Sequence, residues 1–174
     1  MSLPPSPQAF PPEDEDIHIK PLTTADAPEI AKLLSLVWPQ ATHIPVVWRQ
    51  KRVLTAEGVV DEMGKGIRYF GARLDGHIVG FYKIVETSEG LLGEHQTVHP
   101  AYRHRGLVRA MYRQFIAYAQ KLQASGNLCN ILQNHHTMRA LVESFDFKPK
   151  GPPYEQAPGM IVQLYFRPLD QNDA

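Results

Sequence analysis

Leu91-Leu92-Gly93-Glu94-His95-Gln96-Thr97-Val98-His99-Pro100-Ala101-Tyr102-Arg103-His104-Arg105-Gly106-Leu107-Val108-Arg109 joins a strand, a basic loop and a helix start in nineteen residues. Leu91 to Val98 follows a turn at Glu89-Gly90 and reads as a strand. Pro100 closes it, because proline has no N–H to give to a ladder. Beyond the loop, Leu107, Ala110, Met111, Phe115, Tyr118, Ala119 and Leu122 recur at helical spacing and form one apolar face, which ends before Gly126. Arginines just ahead of a helix start are suited to an anion. The first-turn N–H groups are unpaired, the helix dipole is positive there, and Gly106 lets the backbone approach a ligand closely. The run has neither the Gly-x-x-x-x-Gly-Lys spacing of a Walker loop nor the Gly-x-Gly-x-x-Gly of a dinucleotide turn.

Upstream, Ile17-His18-Ile19-Lys20 alternates as a short strand, and Thr23-Thr24 suit a helix N-cap. Ala27, Ile30, Ala31, Leu33, Leu34 and Val37 then predict a helix that Pro39 ends. A second helix starts near Pro45. Gly58, Gly64 and Gly66 predict an irregular link after it. Ile67–Leu74 and His77–Thr87 predict two strands joined at Asp75-Gly76, a two-residue hairpin signal. Downstream, Asn127–Leu132 reads as a buried strand, and Met138, Leu141, Val142 and Phe145 as a shorter amphipathic helix. A crossing rich in proline and glycine, which includes Tyr154 as a loop residue, leads to a last strand over Met160–Phe166. Helices and strands in this order predict a helix-covered, mixed-sheet α/β architecture.

The chain has 174 residues, 43% of them hydrophobic and 21% charged, which predicts one globular domain over residues 17–168. Residues 1–16 hold five prolines and the acidic run Glu13–Asp16, a composition that predicts a disordered arm; residues 169–174 form a tail. The single Cys129 excludes a disulfide framework, and no apolar run approaches the roughly 18 residues of a membrane span. A cytoplasmic address, as a monomer or homodimer without a membrane partner, is the expectation. Eighteen basic and eighteen acidic residues cancel, yet His95 to Val142 contains no Asp or Glu while Arg103, Arg105, Arg109, Arg113, Lys121 and Arg139 lie within it. Positive charge is thus concentrated around one helix start. A nucleic-acid-binding module is a competing class for such a surface, but it lacks a set of exposed aromatics interleaved with the arginines, since Tyr112, Phe115 and Tyr118 sit on a helix whose apolar stripe is mostly core.

The run from Glu94 to Arg109 resembles the central motif of the GNAT superfamily of N-acetyltransferases, a strand ending in Val-x-Pro-x-Tyr-Arg and an Arg/Gln-x-x-Gly-x-Gly/Ala helix start. Val108 stands where that family usually has Gly or Ala. Ile19 to Asp26 resembles the family's first strand and helix cap, and Met138 to Phe147 its second conserved helix, with Asp146-Phe147 in place of Gly-Phe. The resemblance spans about Ile17 to Phe166. It implies an α/β (α+β) fold with a mixed, mostly antiparallel central sheet of six to seven strands flanked by about four helices. It also implies acetyl-CoA as the acetyl donor. The backbone N–H groups of Arg105, Gly106, Leu107, Val108 and Arg109 would bind the pyrophosphate, aided by Arg103 and His104. The strand end around Gln96 and Val98 would splay from its neighbour to meet the pantetheine, and the Val98 backbone would steady the oxyanion. Asn134 resembles the family's cofactor-contacting Asn, although counting back from Phe147 puts His135 at that register.

An alkyl amine is mostly protonated at pH 7, so a general base is expected at the acceptor nitrogen. Glu94 lies four residues before Val98 and shares its face if the strand is regular; this resembles a position from which family members supply a base. His95 is the second candidate, on the opposite face unless the strand bulges. Val142 occupies the register of the family's usual acid Tyr, and Tyr154 is the substitute. The thiol of coenzyme A, with a pKa near the ~8.5 of Cys, can leave unprotonated. No metal is expected: His95 and His99 are roughly 13 Å apart on a strand, and the adjacent His135 and His136 do not present both rings to one ion. Cys129, in an apolar strand, is expected to be a buried filler, which favours direct transfer in a ternary complex over an acyl-enzyme. Trp38, His43, Trp48, Arg49, Tyr154 and Glu155 fall where the fold would shape an acceptor pocket, and the two tryptophans could equally be core anchors. A small-molecule or amino-acid-like primary amine is the expected acceptor. A protein N-terminus or lysine, or coenzyme A binding without catalysis, are the alternatives.

Overall fold

In the computed structural model, which describes residues 17–170, the chain forms an eight-stranded mixed sheet with helices on both faces. The arm 1–16 and the end of the tail, residues 171–174, lie outside the described residues. The elements are β1 (Lys20–Pro21), α1 (Ala27–Val37), α2 (Val46–Arg52), α3 (Ala56–Gly64), β2 (Arg68–Leu74), β3 (His77–Thr87), β4 (Gly90–Val98), α4 (Leu107–Leu122), β5 (Gly126–Leu132), α5 (His136–Ser144), β6 (Lys148–Pro149), β7 (Tyr154–Ala157) and β8 (Met160–Pro168). Strand order is β1-β2-β3-β4-β5-β8-β6, with β7 also paired to β8; only β4 and β5 run parallel. The mixed, mostly antiparallel α/β sheet is the expected fold, with one strand and one helix more than expected.

Alternation along the strands, shifted by one residue at a bulge in β3 between Ile78 and Gly80, divides the core. Tyr69, Ile78 and Phe81 pack beneath Ile30, Leu33, Leu34 and Val37 of α1, whereas Phe70, Tyr82 and Val98 pack beneath Met111, Tyr112 and Phe115 of α4. The buried residues of α1 follow the predicted stripe, and its entry is pinned where Thr23 N–H donates to Asp26 Oδ2 at 2.7 Å. Asp75 (φ 49°) and Gly76 (φ 82°) close the β2–β3 hairpin with two left-handed residues, as the dipeptide predicts.

Three local expectations are corrected. The Gly58–Gly66 stretch is not an irregular link, because α3 occupies most of it. The Thr55 hydroxyl accepts from Gly58 N–H at 3.1 Å to cap that helix, and Val59, fully buried, docks it beside α1. That burial outweighs the ~1 kcal/mol per helical glycine; only Gly66 (φ 89°) acts as a breaker. The first strand shrinks from Ile17–Lys20 to Lys20–Pro21, an edge pair against Gly71 and Phe70. Tyr154 opens β7 rather than lying in a loop, since Gly159 (φ 78°) turns the chain into a hairpin with β8.

A fourth correction concerns β4. Lys83 pairs with Glu94 and Phe81 with Thr97, so β4 carries one residue more than β3 over this stretch. The extra residue makes a bulge at His95, whose φ is 56°. Thr97 Oγ1 donates to the His95 carbonyl at 2.8 Å and accepts from Trp38 Nε1 at 3.1 Å, which ties the bulge to the end of α1. Glu94 therefore shares the α1 face with Thr97, and Val98 points to α4.

β4 and β5 start together at facing glycines. Gly90 has φ 142°, and a Cβ there would lie 2.5 Å from the Gly126 carbonyl oxygen. Gly90→Ala is expected to destabilise the fold by about 1–3 kcal/mol through this overpacking, read as a lower urea midpoint at unchanged slope.

Candidate active site

Parallel pairing of β4 with β5 covers only Leu91↔Asn127, Leu92↔Leu128 and Gly93↔Cys129. Beyond it the strands part. A cavity of about 690 Å³ occupies the opening, a size usual for small-molecule sites. Its walls are Glu94, His95, Gln96 and Val98 of β4 and Asn130 to Leu132 of β5. The start of α4 closes one end, and Trp38, His43, Ile44, Trp48 and Arg52 stand at the other.

The α4 end is built for an anion. Gly106 precedes the helix at φ 80°, and no side chain caps it. The first helical bond runs from Ala110 N–H to Gly106 O at 2.9 Å, which leaves the N–H groups of Leu107, Val108 and Arg109 without acceptors among the described residues. Arg103, His104, Gly106, Leu107, Val108 and Arg109 all line the cavity. Arg105 is turned aside, its guanidinium 5.6 Å from the centre of the Tyr102 ring. The preceding turn is held where Ala101 N–H donates to His99 Nδ1 at 3.1 Å. Backbone donors and flanking cations together favour a phosphate group.

At the other end, charges are buried. Lys83 is 4% exposed, and its Nζ donates to both Glu62 oxygens at 2.9 Å while the Tyr69 hydroxyl also donates to Glu62. This pair lies beside Glu94, cross-strand from Lys83. Burial raises the Glu94 pKa above the ordinary carboxylate range, opposed by Lys83 and Arg52. Burial also lowers His95 well below the usual imidazole value, and Arg52 and Lys83 add to that. At neutral pH His95 is thus an uncharged imidazole, 6.4 Å from the Trp38 ring. The bulge turns both base candidates toward the same end of the cavity.

Other candidates separate. Asn134 is exposed and off the cavity wall; His135 lines it, with Nδ1 accepting from Met138 N–H at 3.3 Å to cap α5. Tyr154 is off the wall too, its hydroxyl donating to Asn130 Oδ1 at 2.9 Å, and Val142 is fully buried. Burial pushes the Cys129 thiol up to about 12, so almost none is thiolate at neutral pH. Trp38 is both a core residue and a wall of the cavity. Arg49 donates from Nη1 to the Pro39 carbonyl at 2.8 Å and does not reach the cavity. Arg52 does, four residues after Trp48 on one face of α2, a spacing visible in the sequence. Tyr112 also lines the cavity, its buried hydroxyl beside Cys129 and Gln96 without a well-aligned partner. Among the described residues, no group of three or more His, Cys, Asp or Glu side chains could hold a metal ion. Nor is any helix among them long and apolar enough to cross a membrane.

Residues 65–149 match the Acetyltransferase (GNAT) domain family. No curated protein matches the chain. Among solved structures, the ribosomal-protein-S18-alanine N-acetyltransferase from Escherichia coli is similar at TM-score 0.70 and 17% identity, over 89% of this chain and 95% of that one. The structure of yncA from Salmonella typhimurium with its cofactor acetyl-CoA gives 0.70 and 15%, over 90% and 96%. The PaiA N-acetyltransferase from Thermoplasma acidophilum in complex with coenzyme A gives 0.70 and 12%, over 88% and 100%. At these identities the likeness is one of fold.

Proposed function

Because this chain carries a GNAT acetyltransferase domain, we propose that it moves the acetyl group of acetyl-CoA to a primary amine of a small molecule, by direct transfer in a ternary complex. The observation that carries this reading is the opening between β4 and β5. It runs from the uncapped start of α4 to the half-buried carboxylate of Glu94, so a phosphate-bearing donor and an amine can meet inside it. Acetyl-CoA and coenzyme A are the ligands named for two of the structural relatives.

The N–H groups of Leu107, Val108 and Arg109 receive the pyrophosphate, with Arg103 and His104 beside it. The β4 backbone near Gln96 and Val98, whose edge toward β5 is unpaired beyond Gly93, takes the pantetheine amides and steadies the oxyanion. The ammonium first gives a proton to Glu94, directly or through one water. The neutral amine nitrogen then attacks the thioester carbonyl carbon, the C–S bond breaks, and the departing coenzyme A thiolate takes the second proton released from the nitrogen as the amide forms. Glu94 suits that role because burial raises its proton affinity toward neutral pH. His95 is the alternative base. The high pKa of Cys129 speaks against an acyl-enzyme. The Trp38–Trp48–Arg52 wall over the acceptor end favours a small acceptor over a protein chain.

A screen of amine acceptors with detection of thiol release tests this. Release that requires both acetyl-CoA and an amine is expected. Acetyl-CoA binding with no release across the panel would leave a non-catalytic coenzyme A binder. Steeply salt-dependent binding to DNA or RNA with no coenzyme A affinity would replace the reading with a nucleic-acid module.

A further inference from the structure

Arg52, in the last turn of α2, is the feature of the cavity that the transfer reaction leaves unused. Its side chain lines the acceptor end. The guanidinium carbon sits 4.3 Å from the centre of the Trp38 ring and 5.6 Å from that of Trp48. Among the described residues it makes no hydrogen bond or ion pair, and its Nε is buried without an acceptor. The neighbouring cations are matched: Lys83 to Glu62, Arg49 to the Pro39 carbonyl. Burial pulls Arg52 down to about 10, with Glu94 opposing the fall, so it is still a cation at neutral pH. A charge taken out of water is ordinarily paired.

The indoles explain how an unpaired cation is tolerated. The guanidinium carbon lies over both rings, contacts that steady the charge and leave its N–H donors without an acceptor atom. Trp38 is itself fixed by its Nε1 hydrogen bond to Thr97 at 3.1 Å. A rigid fork of donors is thereby presented to the cavity, in the geometry that binds a carboxylate through two parallel N–H···O bonds. Glu94 stands at the same end and attracts Arg52 through space without accepting a hydrogen bond from it. One cation and one carboxylate side by side complement a ligand that carries one of each. A phosphate dianion would meet a single cation with Glu94 beside it, a poorer match.

We infer that the acetyl acceptor is an amino acid or similar zwitterion, whose carboxylate is received by the Arg52 guanidinium while its amine faces Glu94. This rests on the transferase reading above and names the substrate class for it. Selection then comes from the acceptor's anionic group: an amine without one leaves the desolvated fork unpaired.

The test compares common amino acids with their decarboxylated amines at saturating acetyl-CoA. At least one amino acid is expected to exceed its decarboxylated counterpart in kcat/KM by about a hundredfold or more, as at sites whose buried donors demand a partner. Arg52→Gln is expected to bring that ratio near one by raising KM for the amino acid, Arg52→Lys to keep part of it, and both to bind acetyl-CoA by calorimetry within about twofold of the wild type. Equal use of the two acceptor classes by the wild type, or a ratio that survives Arg52→Gln, would overturn the inference. A second readout is independent of turnover. The chain has two tryptophans, both against Arg52, so tryptophan emission reports on this end of the cavity. Titration of the coenzyme A-saturated protein with N-acetylglycine is expected to change the emission, and N-acetylglycinamide is expected not to. That difference, lost in Arg52→Gln, upholds the carboxylate site even if no thiol is released and the transferase reading fails; equal responses to acid and amide sink it.

Discussion

Acetyl-CoA binding is expected to be lost in Gly106→Trp, with an affinity at least about a hundredfold weaker, ~2.8 kcal/mol at 1.4 kcal/mol per decade. The residue sits at φ 80°, immediately before three N–H groups that no side chain or carbonyl among the described residues satisfies. An indole there fills the space a pyrophosphate needs and removes the close backbone approach that only glycine allows. Holding a side chain in the left-handed region costs roughly 1–2 kcal/mol, tolerable within a typical stability of about 5–15 kcal/mol. Isothermal titration calorimetry with acetyl-CoA, alongside circular dichroism and a thermal melt, separates loss of the site from loss of the fold. A folded variant with unchanged affinity would remove the α4 start from the binding site.

Glu94→Gln is expected to lower kcat/KM by about 10²–10⁴ at neutral pH, the usual contribution of a general base. The loss should shrink as pH rises. Burial raises the Glu94 pKa, so the acidic limb of the wild-type profile lies above the ordinary carboxylate range, where the base becomes ionised. The variant lacks that limb. Its rate should climb tenfold per pH unit as the acceptor amine deprotonates by itself, up to the amine's own pKa. Stability carries the opposite sign. A carboxyl with a raised folded-state pKa favours the fold below its unfolded pKa, and that advantage is lost as pH rises through the folded value. The glutamine is therefore expected to leave neutral-pH stability equal or higher, while activity falls. A pH–rate profile of the same limb in both proteins would make Glu94 a bystander and move the role to His95.

Signals carried by residues close together in the chain are legible in the sequence. Asp75-Gly76 specifies its hairpin alone, and the α4 stripe and basic start follow from spacing and charge. Asp146 stands where the resembled family has glycine, and it adopts φ 64°, a left-handed position that Asp tolerates better than most side chains. Signals that depend on distant partners were not readable. α3 hides behind two glycines because its helix depends on Val59 meeting α1. The His95 bulge depends on Thr97 bonding Trp38, fifty-nine residues away, so strict alternation put Glu94 on the wrong face. Arg52 follows Trp48 by one helical turn, but only the fold brings Trp38 against the same guanidinium and sends Arg49 to a carbonyl. Lys83 and Glu62 carry no such signal, because a buried ion pair has no local pattern.

The three-pair seam between β4 and β5 has a mechanical consequence. The sheet is two leaves, β1 to β4 and β5 to β8, stitched along one short edge at Leu91–Gly93 and Asn127–Cys129. A donor lying in the opening would bond to strand edges that have no partner on that side and would take the place of a ninth strand. Binding and stiffening would then be one event, with the substrate acting as the rivet that sets the distance between the leaf bearing Glu94 and the leaf bearing Asn130.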